Sequence, residues 1–303
     1  MAAGTDPIHV CRPASSSVTQ RPEHFSPVMT TVFKILSTLP LWLAHALGWA
    51  LGWLVFAASG VYRKRFLENA RQAGIGWRHS MRAVGEGGKQ LTELPRLWLG
   101  RPTPVDWDGS EHVEAALVRG QGVVFLTPHL GCFEVAAQGY ARRYGARKPL
   151  TVLFRPPRKV WLRDLVATAR VRPGLLVAPA TLAGVKQMIK ALKSGQCLGL
   201  LPDQVPPQGM GLWAPFFGRQ AYTMTLSVRL AQQTGASVML AWGERLSLGR
   251  GYRLHFEPLP TPFPSDVAQA VGAINEAMEN LIRRSPQQYL WGYARYKQPR
   301  QEA

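Results

Sequence analysis

Apolar and polar positions follow two different patterns along this chain, and each predicts a different kind of structure. From Gly122 onward, short apolar runs typical of buried strands alternate with longer segments of helical period. The predicted strands cover residues 123–126, 151–154, 175–177, 198–201, 238–241 and 252–256. The predicted helices cover about residues 134–144, 160–169, 182–193, 223–233 and 266–284. This alternation predicts an α/β fold in which a central, mainly parallel or mixed sheet is flanked by helices.

The segment before this alternation has a continuous apolar pattern. Residues 40–60 carry no formally charged side chain, and about 20 apolar residues are needed to cross a bilayer. Trp42, Trp49 and Trp53 suit a membrane interface, and the basic residues 63–65 follow at once. Under the positive-inside rule, this order puts the rest of the chain on the cytoplasmic side. The pattern predicts membrane attachment and leaves open whether the helix spans the bilayer or dips into one leaflet.

These patterns divide the chain into three segments. Residues 1–26 are rich in Pro, Ser and Thr and have no apolar period, which is typical of a disordered tail. Residues 27–62 are the predicted membrane-associated helix. Residues 63–303 are the predicted α/β domain, which begins with an amphipathic helical stretch over residues 67–99.

The charge of the chain narrows the class of partner. The net charge is +18, from 36 Lys and Arg against 18 Asp and Glu, which indicates an anionic partner. Nucleic acid, an acidic membrane surface, an acidic protein and a phosphorylated substrate all fit. Residues 142–172 contain ten basic side chains and a single acid, Asp164. The alternative interpretation of this basic block is a solvated surface.

Several familiar kinds of chemistry are excluded by their missing motifs. The sequence has no GxSxG, P-loop, HExxH or strand-linked GxGxxG motif, which argues against the common serine hydrolases, nucleotide hydrolases, zinc proteases and dinucleotide-binding enzymes. Cys11, Cys132 and Cys197 have no CxxC spacing and fit a reducing compartment. Cys132 is interpreted as a packing residue, and a nucleophilic role is the alternative.

The strongest candidates for catalysis are His129 and Glu134, which lie between a predicted strand and a predicted helix. Five positions along one helix correspond to about 500° of rotation, so the two side chains would not share a helix face. They meet only if His129 lies in the turn and Glu134 about one turn into the helix, and Gly131 permits that bend. Glu134 would then accept the Nδ1 proton of His129 and leave Nε2 to take a proton from a substrate hydroxyl. The alternative is a loop histidine and an unrelated acid favoured by the helix dipole.

Three further segments contain polar or aromatic candidates. Asp203 follows a predicted strand, at the edge where α/β sheets collect ligands, although a capping role also fits. Residues 214–218 combine aromatic residues with glycine, which suits a core turn as well as the wall of an acyl-chain site. Residues 289–297 place basic side chains near aromatic ones, which suits contact with lipid head groups or the end of the fold.

Taken in order, these segments resemble the bacterial lipid A biosynthesis acyltransferases, the late lauroyl and myristoyl transferases of the lysophospholipid acyltransferase superfamily. The resemblance covers about residues 33–300 and rests on an ordered set of motifs. After the apolar helix these are His129-x4-Glu134, Arg155-Pro156, Arg170-Val-Arg172, Pro202-Asp203, Pro215-Phe-Phe-Gly218 with Ala221-x-Thr223, and Pro286-x-x-Tyr-Leu-Trp291 with Arg295-x-Lys297.

The resemblance implies a glycerol-3-phosphate acyltransferase-like fold and an enzyme at the cytoplasmic face of the inner membrane. Such an enzyme moves a fatty acyl chain from an acyl carrier protein thioester to a hydroxyl of a lipid A precursor. His129 and Glu134 match the family's catalytic pair, and Arg155, Arg170 and Asp203 match further polar positions, interpreted as substrate-binding. Because a thioester is already activated, no metal or other cofactor is required, and no nucleic-acid partner is expected.

Two alternatives stay open at this point. Many family members carry Asn-Trp where this chain has Cys132 and Phe133, and often an Asn where it has Arg158 and Lys159. These departures leave the acceptor open, so a phosphatidylinositol mannoside, a lysophospholipid or an ornithine lipid is the first alternative. The second alternative is a membrane-tethered protein that binds anions without catalysis, which would show a steep salt dependence and no need for His129.

Overall fold

The computed structural model describes residues 27–154, 172–259 and 263–301. The predicted tail, the predicted helix over residues 160–169 and half of the basic block lie outside the described residues. The candidate residues Arg155 and Arg170 also lie outside them.

A seven-stranded sheet forms the middle layer of the α/β part. The strands of the described residues are β1 (Val105–Asp108), β2 (Val123–Leu126), β3 (Leu150–Phe154), β4 (Leu175–Pro179), β5 (Cys197–Leu200), β6 (Gly211–Phe216), β7 (Arg219–Met224), β8 (Ser237–Arg245) and β9 (Tyr252–Pro258). The sheet has the order β1-β9-β8-β2-β5-β3-β4, while β6 and β7 form a separate hairpin. All neighbouring pairs in the sheet are parallel except β8 and β9. The predicted mainly parallel sheet is confirmed.

Helices cover both faces of this sheet. The α-helices among the described residues of the α/β part are α6 (Ser110–Arg119), α7 (Phe133–Tyr144), α8 (Leu182–Lys193), α9 (Leu226–Thr234) and α10 (Val267–Arg284). In β2, Val123 and Phe125 belong to the core shared with α6 and α7, whereas Val124 and Leu126 belong to the core shared with α8, α9 and α10. Alternate residues of a strand face opposite sides of the sheet. All four are buried, which explains the continuous apolar run of this segment.

Between residue 27 and the sheet, the structure describes five helices. They are α1 (Pro27–Thr38), α2 (Leu41–Ala58), α3 (Gly60–Gln72), α4 (Trp77–Thr92) and α5 (Leu94–Leu99). With 18 residues and a mean hydropathy of 1.6, helix α2 is long and apolar enough to cross a membrane, and 33% of its residues are buried. α2 packs closely on α4, as the glycines at their contact show. A Cβ at Gly52 would lie 2.2 Å from the carbonyl oxygen of Val84, and a Cβ at Gly88 would lie 2.0 Å from the carbonyl oxygen of Gly48. The apolar helix is therefore partly a core element.

The structure differs from the predicted elements in the hairpin β6–β7, in β1 and in α6. The helix predicted over residues 223–233 begins only at Leu226, because Thr223 and Met224 pair with β6. At the tip of the hairpin, Phe217 and Gly218 have φ values of +47° and +73°, as in the tight two-residue turns that match strand twist. Phe217 is buried, so residues 214–218 form a core turn.

Candidate active site

Backbone hydrogen bonds fix the turn between β2 and α7, which carries His129. The N–H of Cys132 donates to the carbonyl of Gly243 (2.7 Å), and the N–H of Gly131 donates to that of Gln288 (3.0 Å). Gly131 has a φ of +58°, and a Cβ at this residue would lie 2.0 Å from the Gly243 oxygen. Only glycine fits both constraints, so the predicted bend at Gly131 is confirmed.

Asp203 holds the candidate base by two contacts. Its Oδ1 lies 2.7 Å from Nδ1 of His129, and its Oδ2 accepts the backbone N–H of His129 at 2.8 Å. The reason lies in strand register. β2 and β5 are parallel neighbours in which Leu126 is opposite Leu200, so the residues that follow the two strands emerge at the same edge of the sheet.

Glu134 occupies a different place from the one expected at Nδ1. Glu134 was expected to accept the Nδ1 proton of His129, but in the structure the group beside Nδ1 is the carboxylate of Asp203, at 2.7 Å. Glu134 lies buried in the first turn of α7 and lines an apolar cavity. Burial and then the charge of Arg142 lower the pKa of Arg172, and the charge of Glu134 opposes this shift. Local spacing could not reveal the contact with Asp203, because it depends on two strands far apart in the chain.

Asp203 is ionised although it is buried. Burial disfavours its charge, but the positive charge that His129 carries when protonated, hydrogen bonds from the ring and backbone of His129, and the charge of Arg295 hold the pKa of Asp203 below its usual value. Burial, followed by the charge of Asp203, raises the pKa of Tyr289. The segment over residues 289–297 thus contributes to the environment of the histidine. An ionised carboxylate at Nδ1 retains the proton there and leaves Nε2 as the acceptor.

Gln204 occupies the second ring nitrogen of His129. Its side-chain Nε2 lies 3.0 Å from Nε2 of His129. Since Nδ1 carries the ring proton, the hydrogen-bond network assigns the donor role to the amide of Gln204. The side chain of His129 is 15% exposed, so the ring is partly accessible from outside the fold. No motif in the sequence marks Gln204, but its position directly after Asp203 is a signal that could have identified it.

A second buried ion pair holds the other side of the turn. Arg245, at the end of β8, donates from Nε and Nη2 to the carboxylate of Glu93 at 2.9 and 2.7 Å, and from Nη2 to the carbonyl of Gly131 at 2.8 Å. The hydroxyl of Tyr252 donates to Glu93 at 3.0 Å, and Nε2 of His45 in α2 lies 3.4 Å from Glu93. Burial opposes ionisation of Glu93, but Arg245 and His45 together lower its pKa to about 2.

An apolar cavity lies between α7 and the strands β2, β3 and β5. The space between its walls is about 670 Å³ when the part open to solvent is counted. Its wall includes Phe125, Phe133, Tyr140, Leu150, Val152, Leu175 and Phe256. Phe133 also makes an edge contact with the His129 ring, with 5.1 Å between centroids. Thr127 and Glu134 add polar groups to the wall. The histidine therefore lies next to a cavity suited to a hydrocarbon chain.

Cys132 and metal ions have no evident part in this site. Cys132 is buried, and burial raises the pKa of its thiol well above the usual value, which agrees with a packing role. Within the ranges that the structure describes, no group of three or more His, Cys, Asp or Glu side chains could hold a metal ion.

Comparisons with known proteins agree on one kind of enzyme. The family model that matches residues 96–298 is described as bacterial lipid A biosynthesis acyltransferase. The lipid A biosynthesis palmitoleoyltransferase of Escherichia coli (strain K12) is 26% identical over 216 residues, which are 69% of this chain and 68% of that protein. The lipid A biosynthesis lauroyltransferase of the same organism is 28% identical over 191 residues, 62% of this chain and 60% of that protein. The matching lipid A biosynthesis acyltransferase of Haemophilus influenzae is 24% identical over 183 residues, 60% of this chain and 56% of its own length.

Proposed function

Because the chain belongs to the bacterial lipid A biosynthesis acyltransferase family, we propose that it moves a fatty acyl chain from an acyl carrier protein thioester to a hydroxyl of a lipid A precursor. The observation that carries this proposal is the position of His129, which Asp203 holds at 2.7 Å beside the wall of an apolar cavity. Transfer of an acyl chain to a hydroxyl needs a base and an apolar space in contact with each other.

In the proposed reaction, His129 is the general base. Nε2 takes the proton of the acceptor hydroxyl as its oxygen attacks the thioester carbonyl. The resulting imidazolium is stabilised by the ionised carboxylate of Asp203. The tetrahedral intermediate then collapses, the carbon–sulfur bond breaks, and the thiolate takes the proton from Nε2. The ester forms without any metal or redox cofactor, and His129 returns to its starting state.

Glu134 remains a proposed catalytic residue with a changed role. Because Asp203 occupies Nδ1 of His129, we assign to Asp203 the orientation of the base, in place of substrate binding. Glu134 is proposed to form the polar end of the cavity, where the reacting thioester would lie. The oxyanion then requires donors, and backbone N–H groups at the start of α7 or the side chain of Arg170 are the candidates. Arg155 is retained as a proposed substrate-binding residue on the resemblance alone.

The membrane association that we propose is monotopic. Trp42, Leu47 and Leu54 are exposed on α2, which suits contact with lipid. The opposite side of α2 packs closely on α4, whose sequence contains several charged side chains. A spanning α2 would carry these charges toward the bilayer centre, at a cost of about 2.5–3.5 kcal/mol for each Arg or Lys. We therefore propose that α2 lies in the cytoplasmic leaflet of the inner membrane.

The proposed donor also fits the charge of the chain. Acyl carrier proteins are acidic, and the net charge of +18 provides long-range attraction for such a partner. The same excess of positive charge suits the phosphates of the acceptor and anionic lipid.

The proposal is tested with purified enzyme in a transfer assay. The acceptors are tetra-acylated and penta-acylated lipid A precursors, and the donors are carrier proteins loaded with different acyl chains. We expect His129→Ala to lower the transfer rate by on the order of 10²- to 10⁴-fold, as loss of a general base does. His255→Ala is the matched control, because His255 also has an Asp partner at 2.7 Å, Asp108, but lies at the exposed end of a different strand pair.

Equal rates in the two histidine variants would contradict the general-base role. Acylation of a lysophospholipid in the absence of any product from the lipid A precursors would contradict the proposed acceptor. A chain that consumes no acyl thioester would contradict the proposed function as a whole.

A further inference from the structure

A second, polar pocket lies on the neighbouring face of α7. Val135, Gln138, Gly139 and Arg142 line it, and their spacing is that of one helix face. The apolar cavity instead uses Glu134, Ala137 and Tyr140 from the same helix. Helix rise is about 1.5 Å per residue, so Gln138 and Arg142 lie roughly 6 and 12 Å beyond Glu134 along the axis. The polar pocket is therefore close to the active site without being part of it.

Three arginines are among the residues that line this pocket. Arg101 follows the end of α5, Arg142 lies in the last turn of α7, and Arg172 directly precedes the turn into β4. The residues that line the pocket include no Asp or Glu. The Nη2 of Arg172 donates to the carbonyls of Leu97 and Trp98 at 2.6 and 3.0 Å, which anchors that guanidinium at the end of α5. Three arginine side chains therefore line one pocket, and hydrogen bonds to the backbone hold the guanidinium of Arg172 in place.

Electrostatics agree with this geometry. Burial and then the charge of Arg142 lower the pKa of Arg172, while the charge of Glu134 acts in the opposite direction. Two positive charges repel each other, and an anion bound between them stabilises both. Guanidinium groups also match the planar, bidentate geometry of phosphate oxygens.

A buried hydroxyl supplies an independent observation. Thr103 lines the pocket and is 8% exposed, and its Oγ1 has no hydrogen-bond partner among the residues that the structure describes. A buried polar atom without a partner has lost its hydrogen bonds to water and gained none in return. A ligand with acceptor oxygens would satisfy this hydroxyl. Gln138, which is also buried on the same wall, provides an amide donor.

We propose that this pocket, lined by Arg101, Thr103, Gln138, Arg142 and Arg172, binds a phosphate group of a substrate. The identity of that substrate rests on the proposed function, but phosphate binding itself does not. Two sources share this chemistry, the phosphates of the glycolipid acceptor and the phosphodiester of the prosthetic arm that carries the acyl thioester. Either would fix a substrate at a set distance from His129, which converts binding into orientation.

The experiment titrates the full chain with inorganic phosphate at constant ionic strength and follows binding by calorimetry. The test variants are Arg142→Gln, which removes one charge at an exposed position, and Thr103→Val, which removes the hydroxyl with little change of shape. Arg143→Gln is the matched control, because Arg143 is the next residue of α7 and instead stacks on Trp107 at 4.7 Å. We expect each test variant to weaken phosphate binding about tenfold or more, the effect of one lost hydrogen bond to a charged group, and the control to leave it unchanged.

Steady-state kinetics then identify the source of the phosphate. A higher KM for the acceptor in Arg142→Gln, with KM for the donor and kcat unchanged, assigns the pocket to the glycolipid, and the reverse pattern assigns it to the donor arm. Identical phosphate affinity in Arg142→Gln and Arg143→Gln overturns the site, as does an unchanged KM for both substrates. Failure of the proposed function would instead appear as absent transfer in the unmodified chain, with the phosphate titration intact.

Discussion

Two buried carboxylates, Asp203 and Glu93, lie on opposite sides of the turn over residues 130–132 and have different roles. Asp203 faces the ring of His129, whose side chain is 15% exposed and whose second nitrogen, Nε2, lies 3.0 Å from the Gln204 amide. Glu93 faces Arg245, whose side chain is 2% exposed and holds both carboxylate oxygens. Both clusters contact the same turn, one through the backbone of His129 and the other through the carbonyl of Gly131.

The clusters differ in the state of the carboxylate partner that they hold. The Glu93 cluster is closed in the sense that both carboxylate oxygens accept hydrogen bonds from Arg245 and Tyr252, and the lowered pKa of Glu93 keeps this carboxylate ionised near neutral pH. The Asp203 cluster ends in an atom that can gain and lose a proton. A rigid ion pair on one side of the turn therefore lets a reactive histidine on the other side keep its position.

The largest expected effect comes from breaking the open cluster. Asp203→Asn keeps the shape of the side chain but can no longer hold the Nδ1 proton or stabilise the imidazolium, so the transfer rate should fall by on the order of 10²- to 10⁴-fold. Circular dichroism should show an unchanged fold. A variant that keeps more than half of the normal rate would show that Asp203 does not orient the base.

Breaking the closed cluster should act first on stability. Glu93→Gln removes the carboxylate that binds Arg245 at 2.7 and 2.9 Å and leaves Glu86, 3.8 Å from Nη1, to oppose its buried charge. We expect a loss of about 3–5 kcal/mol in the free energy of unfolding. The exposed pair Asp106–Arg253, at 3.4 Å, is the control; Asp106→Asn should cost less than about 1 kcal/mol. The double variant Glu93→Met with Arg245→Met should recover much of the stability but not the rate, because the bond to Gly131 stays lost. Recovery of both would reduce the closed cluster to a packing element.

Because of the same cluster, the free energy of unfolding should decrease at acidic pH. The pKa of Glu93 is lowered from 4.5 to about 2 in the folded chain, so its contribution is complete above pH 4.5 and is lost as the pH falls toward 2. The shift corresponds to roughly 3 kcal/mol. Denaturant unfolding between pH 5 and about 2 measures it. The stability difference between the unmodified chain and Glu93→Gln should shrink over this range, and a difference that stays constant would contradict the assignment.

The smallest effect concerns the amide that covers the open cluster. Gln204→Ala leaves room for water at Nε2 of His129, so hydrolysis of the acyl thioester should rise relative to acyl transfer by roughly tenfold, the effect of one hydrogen bond. Product analysis with and without acceptor gives this ratio. Gln208→Ala, in the same loop, is the control. An unchanged ratio would mean that Gln204 does not exclude water.

The two clusters also mark how far the sequence predicts this molecule. The buried strand β2 agrees with its prediction at both ends, and the bend at Gly131 follows from local chemistry. The pairing of His129 with Asp203 depends on the register of two strands 74 residues apart in sequence, and that of Glu93 with Arg245 spans 152 residues. Neither distance leaves a periodic signal. The apolar pattern does not predict strand β1, because its residues alternate between partly buried and exposed.

Close packing of α2 has a practical consequence for anyone who wishes to study the enzyme free of detergent. Removing the chain up to Ser59 would take away an apolar helix, but it would also expose the glycine-lined groove of α4 and delete His45 from the shell of Glu93. We expect such a shortened chain to aggregate or to lose activity instead of becoming a soluble enzyme. Polar substitutions at the exposed positions Trp42 and Leu54, which leave the packed side of α2 intact, offer the better route to solubility.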